Sequence, residues 1–409
     1  MKIGILTYHR VPNFGAQLQA VSTYSYLKKY GHDVVLIDWY PEDVKMMYSK
    51  RVPQTQIIYH DRFIESYTNL SIPISNYEKF VRYINEENFD MIFIGSDAVF
   101  KYKPKRTRIK FKFRQFKYVE EHVTTDLEYK NNPFWGGFLR DLNHPIPIVG
   151  FSVSCQNTAF TKLNEVEKQD LSNYMALFKF ITARDEWTAK MISYLGYANE
   201  VPITPDPVFS FNQNIAFKLP TKKEILRKFH LPESYVLFSF RLNILKSKYI
   251  NSLIKYFEDN NYTTVSFPMP EGLKAFNTKY AIDVPLSPID WYCLIKYASG
   301  YIGERMHPII VCIHNSTPFF CFDEYGIKRT IIPKVYKYFN KESSKIYHIL
   351  KCANMLDARY GYFENHLLPT KERIYNCIIR ANIKHMDKFS ERYAKQYSNS
   401  MNNLISKLK

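Results

Sequence analysis

Residues 3–38 read IGILTYHRVPNFGAQLQAVSTYSYLKKYGHDVVLID. Ile3-Gly4-Ile5-Leu6 is a short apolar run of the kind that forms a strand buried on both faces. A loop follows from Tyr8 to Gly15. Ala16, Ala20, Tyr24 and Leu27 then recur at helical spacing until Gly31 ends the helix. Val34-Val35-Leu36-Ile37 is a second apolar run, stopped by Asp38. Strand, loop, helix and strand in that order make a βαβ unit, which requires a parallel sheet with helices on its faces.

The same alternation continues outward. Met91-Ile92-Phe93-Ile94, Ile148-Val149-Gly150-Phe151 and Phe180-Ile181-Thr182 read as buried strands separated by helical patterns. Pro205-Asp206-Pro207 is a turn signal, and residues 210–233 are polar without a clear strand, which places a linker there. A second series follows: Val236-Leu237-Phe238, a helix near 247–260, Thr264 to Phe267, a helix near 288–298, Tyr301-Ile302 and Phe319 to Phe322. Residues 371–396 read as one long amphipathic helix, with Ile374, Ile378, Ile379 and Phe389 among basic residues. The expectation is an α/β chain of two Rossmann-like doubly wound domains facing a cleft, followed by C-terminal helices. The domains span 1–210, 211–345 and a basic helical segment 346–409.

Composition narrows the function classes. The 409 residues are 46% apolar and 23% charged, ordinary values for a globular chain and a poor match to disorder. Six dispersed cysteines form no Cys-x-x-Cys pair and no Cys/His metal spacing, so neither a disulfide framework nor a zinc site is expected. No apolar run is long enough to span a bilayer and the N-terminus reads as a strand, so a cytoplasmic protein is expected.

The net charge of +17 is concentrated. Residues 101–118 carry nine Lys or Arg and no acid, and residues 366–409 carry nine against three acids. Such stretches suit an anionic partner, or are simply solvated. In 101–118 the bases alternate with aromatics (Lys110, Phe111, Lys112, Phe113, Arg114, Phe116). That pattern fits a nucleic acid, a surface for anionic lipid carriers, or a β-hairpin with one buried face, the hairpin being favoured.

Chemistry-bearing residues collect after strands. Glu304-Arg305-Met306-His307-Pro308 follows Tyr301-Ile302-Gly303 and precedes the apolar helix beginning at Ile309, with Pro308 expected at the first helical position. Arg305 and His307 then sit at a strand end beside a helix N-terminus, where anions bind. A structural salt bridge and a helix-capping His are the alternatives. Ser96 and Asp97 follow the strand 91–94, where Asp97 either accepts from a sugar hydroxyl and acts as a base, or caps a helix. Arg184 follows the strand at 180, with Asp185 and Glu186 as possible ion-pair neighbours. The turn from Asn13 through Gly15 to Gln19 resembles a thin glycine loop that lets a ligand approach backbone, but it lacks the remaining glycines of a dinucleotide fingerprint. No Walker lysine motif, nucleophile elbow or His-Glu-x-x-His is present.

These segments, taken in order, resemble the polysaccharide pyruvyl transferase family. The residues that carry the resemblance are Ile3 to Gln19, Ile94-Gly95-Ser96-Asp97, Phe151-Ser152-Val153-Ser154, Ala183 to Glu186, Asp206 to Phe209, and Ser287 through Arg305-Met306-His307. The resemblance runs to about residue 340 and leaves out the tail 371–409. It implies a GT-B-like fold and a ketal pyruvyltransferase that moves the carboxyethylidene unit of phosphoenolpyruvate onto two sugar hydroxyls, releasing phosphate. It further implies that Arg184, Arg305 and Lys328 hold the donor, that His307 protonates the enolpyruvyl methylene and that Asp97 faces the acceptor.

No cofactor beyond phosphoenolpyruvate as donor is then needed. The expected partners are a sugar acceptor in the form of a lipid-linked glycan of a cell-surface polysaccharide, and an anionic membrane face, with nucleic acid disfavoured. A GT-B glycosyltransferase using a nucleotide sugar is the alternative.

Overall fold

A computed structural model of the chain describes residues 1–104, 107–112, 115–120, 123–241, 245–324, 340–362, 364–365 and 367–407, with 107–112 and 115–120 described as backbone. Contacts divide it into two compact units. Unit 1 comprises Met1–Tyr8, His32–Tyr48 and Asn69–Ile203; unit 2 comprises His9–Gly31, Ser49–Thr68 and Thr204–Lys409.

Unit 1 is built on a parallel sheet of β1 (Lys2–Leu6), β2 (Asp33–Leu36), β3 (Met91–Ile94), β6 (Ile148–Val153) and β7 (Phe180–Ala183), in the order β2-β1-β3-β6-β7. Every residue of β3 is fully buried, which is why the strand reads as an unbroken apolar run rather than an alternation. The order reverses between β1 and β3. A ligand crevice opens at the carboxyl ends of strands flanking such a reversal. The core of the unit runs from Leu6 through Phe93-side neighbours such as Ile92 and Ile94 to Trp135, Phe178 and Met191.

Between β3 and β6 lies an antiparallel pair, β4 (Thr107–Lys112) and β5 (Gln115–Glu120), with Thr107 opposite Glu120 and Lys112 opposite Gln115. Within the basic, aromatic-interleaved stretch, 107–112 and 115–118 are therefore in antiparallel strands, while 105–106 and 113–114 lie outside the described residues.

Unit 2 carries the second parallel sheet: β8 (Tyr235–Ser239), β9 (Thr263–Ser266), β10 (Tyr280–Ala281), β11 (Gly300–Gly303), β12 (Phe319–Asp323) and β13 (Arg359–Gly361), ordered β10-β9-β8-β11-β12-β13. Its reversal falls between β8 and β11. The sequence patterns found four of these strands; β10 and β13 are too short, at two and three residues, to leave a periodic signal.

The first helix of the chain, α1 (Phe14–Lys29), belongs to unit 2 and is buried along nearly its whole circumference. Its ring contacts explain its fixed position: Phe14 stacks on Trp291 at 5.0 Å and tilts against His60 at 4.8 Å.

The expected single helix over 371–396 is two helices, Lys371–Ile379 and Ile383–Ser406. The break has a local cause. The Asn382 side chain accepts from the His385 backbone N–H at 3.1 Å and so starts a new helix where a continuous one would have left Asn382 in mid-turn. The longer helix is integral to unit 2: Tyr26 donates to Asn402 at 2.7 Å, and Ser390 bonds His314.

Candidate functional site

The reversal in the second sheet places two loop starts side by side, one after β8 and one after β11. The Arg241 backbone N–H donates to Glu304 Oε2 at 2.8 Å, and the Tyr362 hydroxyl donates to Glu304 Oε1 at 3.1 Å. Glu304 is buried. Burial pushes its carboxyl up to about 7, a rise that the Arg241 N–H and the Tyr362 hydrogen bond only partly offset.

Arg305 follows at the N-cap position of α4, the helix Met306–His314, without capping it by side chain. (α2 is Glu186–Tyr194 and α3 is Pro288–Lys296.) Its Nη2 donates to Glu271 Oε1 at 2.9 Å and its Nε to Met269 Sδ at 3.0 Å. Burial raises the Glu271 carboxyl, but the Arg305 charge and hydrogen bonds outweigh it, and the group sits below its ordinary value. Arg305 thus makes a salt bridge to a half-exposed carboxylate.

His307 lies in the first turn of α4, with its ring against the first turn of α1. A Cβ on Gly15 would stand 1.9 Å from His307 Cγ, so no residue but glycine leaves room for the ring. Asn13 prepares that turn: its Oδ1 accepts from the N–H groups of Gly15 at 3.1 Å and Ala16 at 3.3 Å. On the other side, Asp206 Oδ2 is 4.0 Å from His307 Nε2. Gln19 donates to the same oxygen, and the Val208 N–H holds Oδ1 at 3.0 Å. The imidazole is therefore wedged between a helix turn and a fixed, buried carboxylate, an arrangement able to orient a proton carrier. His307 does not cap its helix.

Unit 1 has its own constellation at the reversal between β1 and β3. Gly95 lets β3 approach β6 closely, since a Cβ there would be 2.4 Å from the Phe151 carbonyl oxygen. Thr7 Oγ1 donates to the Ser96 carbonyl at 3.0 Å. Asp97 has φ of +71°, and its carbonyl accepts from the Ser154 N–H at 2.8 Å. Arg184 Nη2 donates to Asp97 Oδ1 at 3.4 Å, with both side chains nearly buried. Arg184 is thus turned to Asp97 and not to Asp185, which instead caps α2 by accepting from the Thr188 N–H at 2.8 Å.

Nearby on the same unit, the Tyr8 hydroxyl donates to Asp126 Oδ2 at 3.0 Å. Burial raises Asp126 and lowers Lys101, while the Asp97 and Asp126 charges counteract the lowering at Lys101.

The expected site residues therefore fall in two groups. Asn13, Gly15, Arg305 and His307 lie in unit 2, and Ser96, Asp97 and Arg184 in unit 1. Lys328 lies outside the described residues. Two local expectations are corrected. Asp97 caps no helix, because the chain continues as an isolated bridge to Val153 and then turns. Pro308 is the third helical residue rather than the first; the N–H groups of a helix's whole first turn lack intrahelical partners, so proline is tolerated there as well.

In the sequence Asp206 reads only as a turn former and as part of the family-like segment, and Gln19, Glu304, Glu271, Tyr8, Asp126 and Lys101 carry no role of their own. Asp-Pro before a helix was the usable signal for Asp206; nothing in the sequence marked Glu271 or Asp126.

Two parallel sheets with helices, each reversing its strand order beside a polar constellation, define an α/β fold of the GT-B type. The chain is similar to UDP-GlcNAc 2-epimerase from Neisseria meningitidis, solved bound to UDP-GlcNAc, at 10% identity and TM-score 0.53, over 100% of this chain and 99% of that one. It is similar to the UDP-GlcNAc 2-epimerase of Methanocaldococcus jannaschii at 12% identity and TM-score 0.53, over 97% and 99%. These likenesses establish the fold. No curated protein matches the chain. The model of the family described as polysaccharide pyruvyl transferase matches residues 13–324. The chain belongs to that family, and it is a transferase. Among the described residues, no helix is long and apolar enough to cross a membrane.

Proposed function

We propose that the protein is a ketal pyruvyltransferase that moves the carboxyethylidene group of phosphoenolpyruvate onto two hydroxyls of a sugar in a cell-surface polysaccharide precursor. The observation that carries this reading is the His307 imidazole seated on Gly15 and backed by Asp206, two residues after Arg305. Phosphoenolpyruvate is a small, highly charged anion. A guanidinium next to the start of a helix suits its phosphate and carboxylate.

His307 gives a proton to the methylene carbon, whose π electrons form the new C–H bond and leave a cation at the central carbon. One acceptor hydroxyl adds to that carbon. The second displaces the phosphate, breaking the C–O bond to it and closing the cyclic ketal. Of the two hydroxyl protons, one restores His307 and the other leaves with phosphate. On this reading Arg305 holds the donor. No further cofactor takes part. The acceptor is a lipid-linked glycan reached from the cytoplasmic side.

The test is thermal stability with and without phosphoenolpyruvate, in wild type and Arg305→Ala, together with phosphate release in the presence of glycan precursors. A ligand at a hundredfold its Kd adds about 2.7 kcal/mol of stability, which is readily seen. Stabilisation of the wild type and not of the variant supports the reading. Stabilisation of neither, with a nucleotide sugar stabilising the wild type, replaces it with glycosyl transfer.

A further inference from the structure

We infer that unit 2 carries a second binding site, for the phosphate-bearing headgroup of an anionic lipid, at the opposite end of the strands of the second sheet from Arg305 and His307. β11 and β12 run parallel with Tyr301 beside Phe319 and Gly303 beside Cys321. Arg305 follows the carboxyl end of β11, whereas Phe319 begins β12. A pocket of about 600 Å³ opens at Phe319, a volume suited to a small ligand.

The lining is basic and amide-rich. Arg373, Arg380, His385, Asn354 and Asn376 face it, with Asp357 the one acid among the described lining residues. Arg373, Asn376, Cys377 and Arg380 come from one face of the helix Lys371–Ile379 and its C-cap, at the spacing that aligns side chains. Arg373 is held in one orientation: its Nη2 donates to the carbonyls of Asp357 at 3.3 Å and Arg359 at 3.4 Å, and its guanidinium lies over the Phe320 ring. The rest of its fork makes no bond among the described residues. Arg380 is exposed, and its side chain has no ion-pair partner among the described residues. His385 Nε2 is 2.7 Å from the Ala353 carbonyl oxygen, so that nitrogen carries the hydrogen and fixes the ring.

Planar guanidiniums with neighbouring amides recognise phosphate oxygens. The neighbours of the lining residues decide between a soluble phosphate and a lipid. Leu356, Ile379 and Ile383 are each about 40% exposed and adjoin lining positions in the chain. A free sugar phosphate has no use for exposed aliphatic side chains, whereas a headgroup brings acyl chains with it.

The experiment is co-sedimentation of the full chain with vesicles of phosphatidylcholine alone and of phosphatidylcholine mixed with phosphatidylglycerol. Binding to the mixed vesicles only is expected. It should weaken about fivefold in Arg380→Gln and about thirtyfold in Arg373→Gln/Arg380→Gln, from the usual contribution of a basic side chain at an anionic surface. Ile379→Ser should weaken it too.

Lys248→Gln, an exposed base elsewhere on the same unit, should leave it unchanged. Equal loss in Lys248→Gln and Arg380→Gln would show general charge attraction and overturn the proposal. So would an Arg380-dependent thermal shift with glycerol phosphate in the absence of vesicle binding. Arg373 supports backbone carbonyls, so the Arg380→Gln single variant decides if the double variant fails to fold. Vesicle binding is read without phosphoenolpyruvate, so failure here leaves the pyruvyl-transfer reading standing.

Discussion

Gly15 is the residue on which the placement of His307 depends. Gly15→Ala would put a methyl inside the imidazole. The ring must leave or the helix turn must shift. The expected cost is about 1–3 kcal/mol of stability, with a loss of about a hundredfold in kcat from the displaced ring; melting temperature and steady-state kinetics read both. His307→Gln separates chemistry from binding. If the imidazole carries the proton, kcat falls by about 10²–10⁴ while stabilisation by phosphoenolpyruvate survives. Loss of that stabilisation instead would make His307 a binding group.

Glu304 gives a pH dependence with a definite sign. Its folded value near 7 lies above the ordinary 4.5, so between these the folded chain holds a proton that the unfolded chain has released. The associated stability is complete below pH about 4.5 and falls as pH rises to about 7, by at most about 1.4 kcal/mol per pH unit. Glu304→Gln, which mimics the protonated carboxyl, should flatten that decline in denaturant unfolding. An unchanged slope would show that Glu304 is ionised throughout.

At the scale of elements, the caps decide where helices begin. Asn13 and Asn382 both turn a side-chain oxygen onto N–H groups that have no intrahelical partner. Asn382→Ala should cost about 1 kcal/mol by equilibrium unfolding. It should also raise the helicity linking the two C-terminal helices, because alanine favours the continuous helix that periodicity suggested.

Element identity was readable for a physical reason. A strand buried on both faces must be apolar throughout, and Met91–Ile94 and Phe319–Phe322 show it in sequence. The break at residues 380–382 escaped because apolar spacing alone carries across it; the side-chain competition of Asn382 with the helix backbone was the missed signal.

At the scale of the molecule, chain order and structural unit do not coincide. α1 comes second in the chain but packs with the turn Pro207–Ser210 and with α3 and α4, all within unit 2. A fragment ending at residue 210 would therefore expose most of α1. It should give no cooperative thermal transition and should aggregate, whereas the full chain melts cooperatively; a folded fragment would refute the interleaved division. The C-terminal helix, although beyond the family's matched residues, closes unit 2 over Tyr26 and His314.

The alternation of buried strands and helices, the parallel sheets they require, and the clustering of Arg, His and Asp after strand ends were all set down in the sequence, because burial and backbone propensity act over a few neighbouring residues. Which strand ends stand together was decided only by the tertiary structure. Strand order depends on how each crossover packs back onto its sheet, a choice among contacts far apart in the chain. That packing brought Arg184 to Asp97 across 87 positions and joined Gln19 to Asp206 across 187. It also laid His307 on Gly15, where the missing side chain of one residue is the space that the other fills.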